Sequence, residues 1–518
     1  MLAYERQRFA RHLCISAFFL LLLAVSWAQL EEEGNESSTS DERLGKVAVV
    51  GSGIGGASSS YFLRRLVGSE VEVHVFEAEG RVGGRCKALK HTVSNGKEKL
   101  FEVGASIIFD KNHYSRKISR ELGLNHSRSR GRSFGLWDGR RLVFQSLHLP
   151  WNQTNPSPFL TSLGLMARYG RSLILLKSLV KKTLDSFLKI YDKQEAGESF
   201  ETAEELWSAL GLFHLTQETL GEELRLHGLS DKLLRELVGA VNRVNYNQNN
   251  SLNALAGMVS LCPLVAGSVF AIQEGNAALP EAMIRSSADF LNLKTRITRV
   301  TINSTSSDRR YVLWSGDKEV GGFDALVLAT PLELATIEFF RIRPDGEEEL
   351  KLDDLSNIDF RTTHSTFVHG TLNASRLTGV EKSLWMSRMV RGRGRVPDSI
   401  YATEDSQDFF TSISHYGHEI YKIFSPRRLM KAEIDQLFTV YKVLEEKEWK
   451  AYPHFHPPET LQSFRPIADE RIYYVNAIEK AVSAVEVSAI GGRNVALMLC
   501  RDVFPSKCPK QRDPREEL

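Results

Sequence analysis

Cysteine is scarce, with 5 in 518 residues, and the five are widely scattered. That excludes a disulfide-stapled scaffold and any cysteine-ligated metal centre. An excess of one charge is also missing. Lys+Arg 66 against Asp+Glu 64 leaves a formal net charge of +2, so no global field draws in nucleic acid, which is excluded as a partner. No stretch is long and apolar enough to cross a bilayer, which takes roughly 20 residues, and no internal repeat points to a solenoid. What is present is bulk: a chain that is 42% hydrophobic and long enough for roughly two or three domains around large cores.

The N-terminus carries Arg6, Arg8 and Arg11, an apolar run of 11 residues from Ile15 to Val25, and then Ser26-Trp27-Ala28. Cations, a short apolar core and small residues at the cut describe a cleaved secretory signal over residues 1–28, with an uncleaved anchor as the lesser alternative. Residues 29–45 are Glu-, Ser- and Thr-rich and read as a flexible leader. N-x-S/T sequons at Asn35, Asn125, Asn152, Asn249, Asn303 and Asn373 agree with passage through the secretory pathway. Cleavage after Ala28 removes Cys14 and leaves Cys86, Cys262, Cys500 and Cys508. A single bridge from Cys500 to Cys508 and free buried thiols both stay open.

Order begins at Lys46. The run Lys46-Val-Ala-Val-Val ends in Gly51-Ser-Gly53-Ile-Gly55-Gly56, a strand, tight turn and helix start with the spacing G-x-G-x-x-G. Gly51 makes the turn, Gly53 lets the backbone approach a pyrophosphate, and Gly56 lets helix and strand pack closely. The phosphates then sit at a helix N-terminus, where free N–H groups favour anions. Val71-Glu-Val-His-Val-Phe alternates as a second strand and ends at Glu77, placed to hold a ribose. A second glycine loop follows, Arg81-Val-Gly83-Gly84-Arg85, able to add donors to the same anion.

Farther on, Tyr169, Leu173, Leu176, Val180, Leu184, Phe187 and Tyr191 recur at steps of three and four, one stripe of a single long helix starting at Met166. Its other face bears Arg168, Arg171, Lys177, Lys181, Lys182 and Lys189. A solvated cationic face is the preferred reading, with peripheral contact to an anionic membrane kept open. A further helical region runs from Glu201 to Val241, and the polar segment Val241–Gln248 interrupts the helical period before an apolar helix resumes at Ala254. Thr295–Ile302 and Phe323–Ala329 read as strands, the latter of the buried parallel kind. From Thr362 to Phe424 the pattern is β-like. Arg388, Arg391, Arg393 and Arg395 mark an exposed loop.

The two glycine loops, Glu77 and the segment Phe101-Glu-Val-Gly104-Ala-Ser106 together resemble the opening of FAD-binding flavoproteins of the amine-oxidase and glutathione-reductase type. The segments Arg243-Val-Asn245-Tyr246-x-Gln248, Lys422-Ile-Phe-Ser, Trp449-Lys-Ala-Tyr-Pro-His454-Phe-x-Pro-Pro458 and Tyr473-Tyr-Val-Asn-Ala-Ile-Glu479 resemble the prenylcysteine oxidase, or farnesylcysteine lyase, family over nearly the whole mature chain. The resemblance implies an α/β fold: a Rossmann-like FAD-binding domain with a substrate domain of helices and mixed sheet. The nucleotide domain would comprise residues 46–110, 261–340 and 466–500. A mainly helical part at 111–260 and a sheet-and-helix part at 341–465 would form the substrate domain, with a tail at 501–518.

It also implies a chemistry. Gly51, Gly53, Gly56, Glu77, Gly84, Arg85, the backbone of Ile297 and Glu479 would hold FAD. Ala477 stands where the family tends to have glycine and Lys480 where a small residue is usual, and the helix after the acid is expected over Ala481–Leu499. A free prenylcysteine would lose its thioether bond to O₂ and water, giving prenyl aldehyde, cysteine and hydrogen peroxide, in a lysosome or vacuole. His454 is the candidate for the water proton, and Tyr246 and Asn245 for positioning the substrate. An apolar cavity would take the prenyl chain and a polar mouth the amino-acid head. Two alternatives are a flavin amine oxidase cutting a C–N bond and a non-catalytic glycosylated flavoprotein that binds lipid.

Overall fold

The computed structural model describes residues 45–93, 96–128, 132–149, 152–304, 309–352, 358–377 and 396–509. The signal, the leader up to residue 44, Asn35 and the Arg388–Arg395 cluster lie outside them, and Gly45, expected in the leader, already belongs to the first strand.

Unbroken runs of Val, Ala and Leu pack as a parallel sheet covered on both faces. Its order is Phe290–Asn292, Val71–Phe76, Gly45–Val50, Ala325–Leu328, Ile472–Tyr474, with every neighbouring pair parallel. Val47, Val49, Val73, Leu326 and Leu328 have no exposed surface. On one face the helix Ile54–Val67 meets the helix Val485–Val503. Small residues permit the approach, since a Cβ on Gly492 would lie 2.0 Å from Ser58 Oγ. The C-terminal helix therefore starts four residues later than its composition suggested. Val475–Ile478 form a 3₁₀ turn and Ser483 Oγ donates back to Glu479 (3.1 Å), which holds residues 479–484 outside the helix.

A seven-stranded sheet supplies the second half, in the order Phe438–Pro453, Phe360–Leu372, Ile420–Ser425, Ser412–His415, Ser399–Ala402, Phe134–Trp137, Leu142–Gln145. A separate five-stranded sheet runs from Arg299 to Leu350. Its strand Glu338–Arg343 carries the chain past position 340, where a domain boundary was expected. The strand expected from Thr295 starts only at Arg299, leaving Ile297 in the connection before it.

Two helical expectations change. The apolar stripe is buried as expected at Tyr169, Leu173, Leu176, Val180, Leu184, Phe187 and Tyr191, but it belongs to two helices, Pro158–Tyr169 and Arg171–Glu195. They are separated at Gly170, whose φ of +53° only glycine adopts freely. The polar segment after Gly239 is helical through Tyr246 and ends at Asn247 in the left-handed conformation, because its polar side chains find partners inside the protein. Asn242, for instance, has no exposed surface and donates to Asn250 (3.0 Å). Cys500 and Cys508 are bridged, while Cys86 and Cys262 are free and buried. Among the described residues no helix is long and apolar enough to cross a membrane.

Candidate active site

The first strand ends at a turn whose backbone only glycine fits. Gly51 has φ +107°, and a Cβ there would lie 2.5 Å from Ala329 O. At Gly56 a Cβ would come within 2.0 Å of Gly51 O. Gly53 is the opposite case, for beyond its own chain neighbours nothing lies within 4 Å of the position its Cβ would take. A side chain at Gly53 would project into open cavity, which is where a phosphate must come close. The second loop is tied to the first by Gly83 N donating to Ser52 O (3.1 Å). Gly84, at φ +53°, lies over Gly53, with its Cβ position 3.3 Å from Gly53 Cα. Gly56→Ala should therefore open the turn, and the purified variant should be soluble yet lack flavin absorbance at 450 nm.

Glu77 is 9% exposed and its carboxylate is already at work inside the turn. Oε2 accepts from Ser52 N (3.1 Å) and Ser52 Oγ (2.6 Å), and Oε1 accepts from Glu79 N (2.8 Å). Ile297 is next to it, because Thr295 N donates to Glu77 O (2.8 Å). Arg85 joins distant parts of the chain: Nη1 donates to Ala451 O (2.9 Å) and Nη2 pairs with Glu479. Glu479 is buried and also accepts from Asn476 (3.1 Å) and Ser483 (3.1 Å). Gly51, Gly53, Glu77, Gly84, Arg85, Ile297 and Glu479 all line one cavity of about 1820 Å³. That is larger than the roughly 300–1,000 Å³ of an ordinary ligand pocket and has room for a dinucleotide and a second ligand. Gly56 does not line it and acts only through the packing of helix on turn.

The same cavity continues between the helices and the seven-stranded sheet. Thr183, Leu184 and Phe187 meet Val244, Val259 and Cys262 on one side, and Phe134, Tyr401 and Phe424 stand on the other. Several buried polar atoms along it lack a protein partner, among them Trp449 Nε1, Thr363 Oγ1 and Glu102 Oε2. Unpaired buried groups are costly, so their presence along the cavity fits a bound polar ligand.

The three proposed catalytic side chains separate. Tyr246 and Asn245 line the cavity. Tyr246 OH donates to Ser483 O (3.1 Å) and its ring packs edge-on to Tyr452. Asn245 Nδ2 donates to Ser260 Oγ (2.9 Å). His454 is not a lining residue. It lies past the end of the strand Phe438–Pro453, its ring 3.8 Å from His456 and Nδ1 3.4 Å from Asp359, so its proton cannot serve a ligand in the cavity.

Lys422 holds the position that His454 does not. It is 3% exposed on the cavity face of the sheet, where strand register sets it beside Ser414 and Phe367. Its ammonium donates to Glu102 O (2.8 Å) and Ser106 Oγ (2.7 Å) and lies 4.3 Å from the centre of the Phe424 ring. Burial pushes its pKa down from 10.5 to about 7, with nearby Glu102 opposing the shift. Burial pushes the Glu102 carboxyl up to about 7. An amine and an acid that both exchange protons near neutrality thus flank the segment Gly104–Ser106.

With this geometry, the comparisons become decisive. Residues 153–510 match the family described as prenylcysteine lyase. The chain belongs to the prenylcysteine lyase family. It is 32% identical over 480 residues to prenylcysteine oxidase 1 of Homo sapiens, covering 88% of each chain. It is 31% identical over 517 residues to farnesylcysteine lyase of Arabidopsis thaliana, covering 96% of this chain and 97% of that one. Residues 49–122 match an NAD(P)-binding Rossmann-like domain. Among solved structures, cyclohexylamine oxidase from Brevibacterium oxydans aligns over 89% of this chain and 99% of its own, with a TM-score of 0.54 at 14% identity. A fatty acid isomerase from P. acnes aligns over 90% and 100%, with a TM-score of 0.58 at 14% identity. These two show the shared fold.

Two features of this prenylcysteine lyase family member escaped the sequence reading. Glu486, fully within the protein at 2% exposure, accepts from Tyr114 N (2.6 Å), Ser115 N (2.9 Å) and Tyr191 OH (2.8 Å). It caps the helix His113–Glu121 from the first turn of another helix and lines the cavity. An acid in a first helical turn was the available signal, but its partners lie 295 to 372 residues away. Cys86 and Cys262 also line the cavity. Burial pushes both thiols up to about 12, so they are packing groups at neutral pH rather than nucleophiles.

Proposed function

We propose that this chain is an FAD-dependent oxidase that cleaves the thioether of free prenylcysteines. One molecule each of prenylcysteine, O₂ and water gives prenyl aldehyde, cysteine and hydrogen peroxide. The observation that carries the reading is the single cavity running from the glycine cradle, past Lys422, to an apolar pocket in a member of the prenylcysteine lyase family. When bound, FAD would supply a two-electron acceptor for the carbon beside sulfur, with O₂ as the final oxidant.

The chain's own residues supply position and proton handling. The turn Gly51–Gly56, the loop Gly83–Arg85, Glu77, Ile297 and Glu479 hold the cofactor. Leu184, Phe187, Val259 and Phe424 give the prenyl chain a dry wall and fix the reacting carbon, where orientation is worth most. Tyr246, anchored on Ser483, backs that wall. Lys422 Nζ takes a proton from the water that adds to the carbon and returns one to the leaving sulfur, a role suited to a pKa of about 7.

Anaerobic mixing of the yellow protein with farnesylcysteine tests this. Absorbance at 450 nm should fall within turnover time and recover on admitting air. Persistence of the oxidised spectrum with farnesyl- and geranylgeranylcysteine, with bleaching by amines, would favour a C–N oxidase. Persistence with every compound would favour a non-catalytic lipid-binding flavoprotein.

The signal segment and the sequons support a secretory route, and the family resemblance supports a lysosome or vacuole, where prenylated proteins are degraded, as its end. Asn125 and Asn249 are exposed. Glycosidase treatment of protein from a eukaryotic host should lower its mass, and its N-terminus should read Gln29. Exposed Phe159, Leu163 and Ile174 near Lys177 and Lys181 support contact with anionic bilayers, which co-sedimentation with anionic vesicles tests.

A further inference from the structure

The amino-acid head of the substrate carries a carboxylate and an ammonium, and both lose water on entering a cavity. Each needs an opposite charge held in place. Lys422 is poorly suited to the carboxylate, since two of its three N–H groups are spent on Glu102 O and Ser106 Oγ. Arg85 and Glu479 are spent on each other.

A different pair of charges lines the same cavity where the strand Phe134–Trp137 meets the strand Ser399–Ala402. Arg132 lies over the Tyr416 ring, 5.1 Å from its centre, and Nη1 donates to His415 O (2.9 Å). These contacts fix the guanidinium and leave further N–H groups for a ligand. The Asp398 carboxylate is held by Ser133 alone among the described contacts. Its Oδ2 accepts from Ser133 N (3.0 Å) and Ser133 Oγ (2.8 Å), and its N–H donates to Ser133 Oγ (2.9 Å). Both residues line the cavity, Arg132 preceding Ser133 in the chain and Asp398 facing it from the start of the neighbouring strand, and no ion pair joins them among the described contacts.

A chain of contacts leads from this pair to Lys422. The Tyr416 ring beneath Arg132 reaches toward Ser106, whose side chain hydrogen bond lowers the tyrosine pKa that burial has raised. Ser106 is the residue that Lys422 holds. Next to Ser133, Phe134 stacks on Tyr401 (6.2 Å, 24°) and begins the apolar wall. A head fixed at Arg132 and Asp398 would place the thioether beside Ser106 and Lys422 and send the prenyl chain along that wall.

We infer that Arg132 and Asp398 form a zwitterion subsite, Arg132 receiving the α-carboxylate and Asp398 the α-ammonium of the prenylcysteine. This rests on the function proposed above and names the selectivity of that site. An amide on either side of the residue would remove one of the two charges, so each end of the head is read by its own residue.

The test compares farnesylcysteine, its methyl ester and its N-acetyl derivative on wild-type, Arg132→Gln and Asp398→Asn proteins. Wild type should prefer the free zwitterion. Arg132→Gln should lose about 10- to 100-fold in kcat/KM on the free acid, mostly through KM, with little change on the methyl ester. Asp398→Asn should show the mirror pattern, its loss confined to substrates with a free amine. Asparagine keeps an acceptor for Ser133, and Arg132→Gln is an exposed change, so both variants should retain the wild-type melting point.

Calorimetry with S-decylcysteine, which lacks the allylic carbon, should show the same weakening without any turnover. Equal losses on all three compounds, or unchanged preferences, overturn the subsite while leaving the oxidase reading intact. Failure of the wild type to oxidise farnesylcysteine at all overturns that reading and the subsite with it.

Discussion

Lys422→Met should retain FAD and melt above the wild type, yet turn over farnesylcysteine on the order of 10²- to 10⁴-fold more slowly, the usual worth of a positioned acid or base. Both effects have one cause. Lys422 sits among Phe367, Phe424 and Ser414 with almost no exposed surface, so its charged form is penalised and its pKa falls to about 7. Between about pH 7 and 10.5 the unfolded chain binds this proton and the folded chain does not. Stability attributable to the site therefore rises with pH across that window, and the penalty is complete below it. Methionine fills similar volume without the penalty, so the melting-point gap should be widest at or below pH 7 and close toward pH 10.5. Activity follows the other protonation state. As a base, the amine works when neutral, so wild-type kcat should climb through about pH 7, and the variant's low kcat should lose that step. A variant with wild-type kcat and an unchanged pH profile would remove Lys422 from the mechanism.

The contrast between Lys422 and His454 shows what a linear reading can and cannot reach. The cofactor cradle is local. Gly51, Gly53 and Gly56 fall within six residues and Glu77 ends the next strand, so spacing alone specifies a turn, a helix start and an acid. Lys422 was quoted only as part of a family segment. Its chemistry comes from cross-strand neighbours at Phe367 and Ser414 and from Glu102, more than 300 residues away, and no local pattern reveals that desolvation. His454 drew attention as a titratable ring among prolines. The strand ends at Pro453, however, and the next residue turns out of the cavity toward Asp359. The same rule separates the buried stripe, legible from its period, from the break at Gly170, where one glycine serves two helices. Glu486 was invisible for the reason Lys422 was, its partners Tyr114 and Tyr191 being set by the fold.

The other large effect should come from Glu77. If this carboxylate only touched a ribose, Glu77→Gln and Glu77→Ala would weaken FAD alike, and by one hydrogen bond. The structure gives it a second duty. Oε2 accepts from Ser52 N and Ser52 Oγ of the glycine turn, and Oε1 from Glu79 N, three bonds in all. Hydrogen bonds to a charged acceptor are worth about 1.5–3 kcal/mol each. Glutamine keeps one acceptor oxygen, which can serve Ser52 or Glu79 but not both, and its NH₂ opposes the donor it faces. Alanine forfeits all three and frees the Ser52–Gly53 peptide whose position defines the cradle. Retention of FAD should therefore fall stepwise, about 10- to 100-fold for Gln and further for Ala. The sheet beneath should persist, since its core residues, Val47, Val49 and Val73, do not depend on the carboxylate. Equilibrium dialysis of FAD against the three proteins, with circular dichroism to confirm the fold, separates the cases. Equal affinity in Gln and Ala variants would return Glu77 to a single ribose contact, and wild-type affinity in both would take it out of the cofactor site.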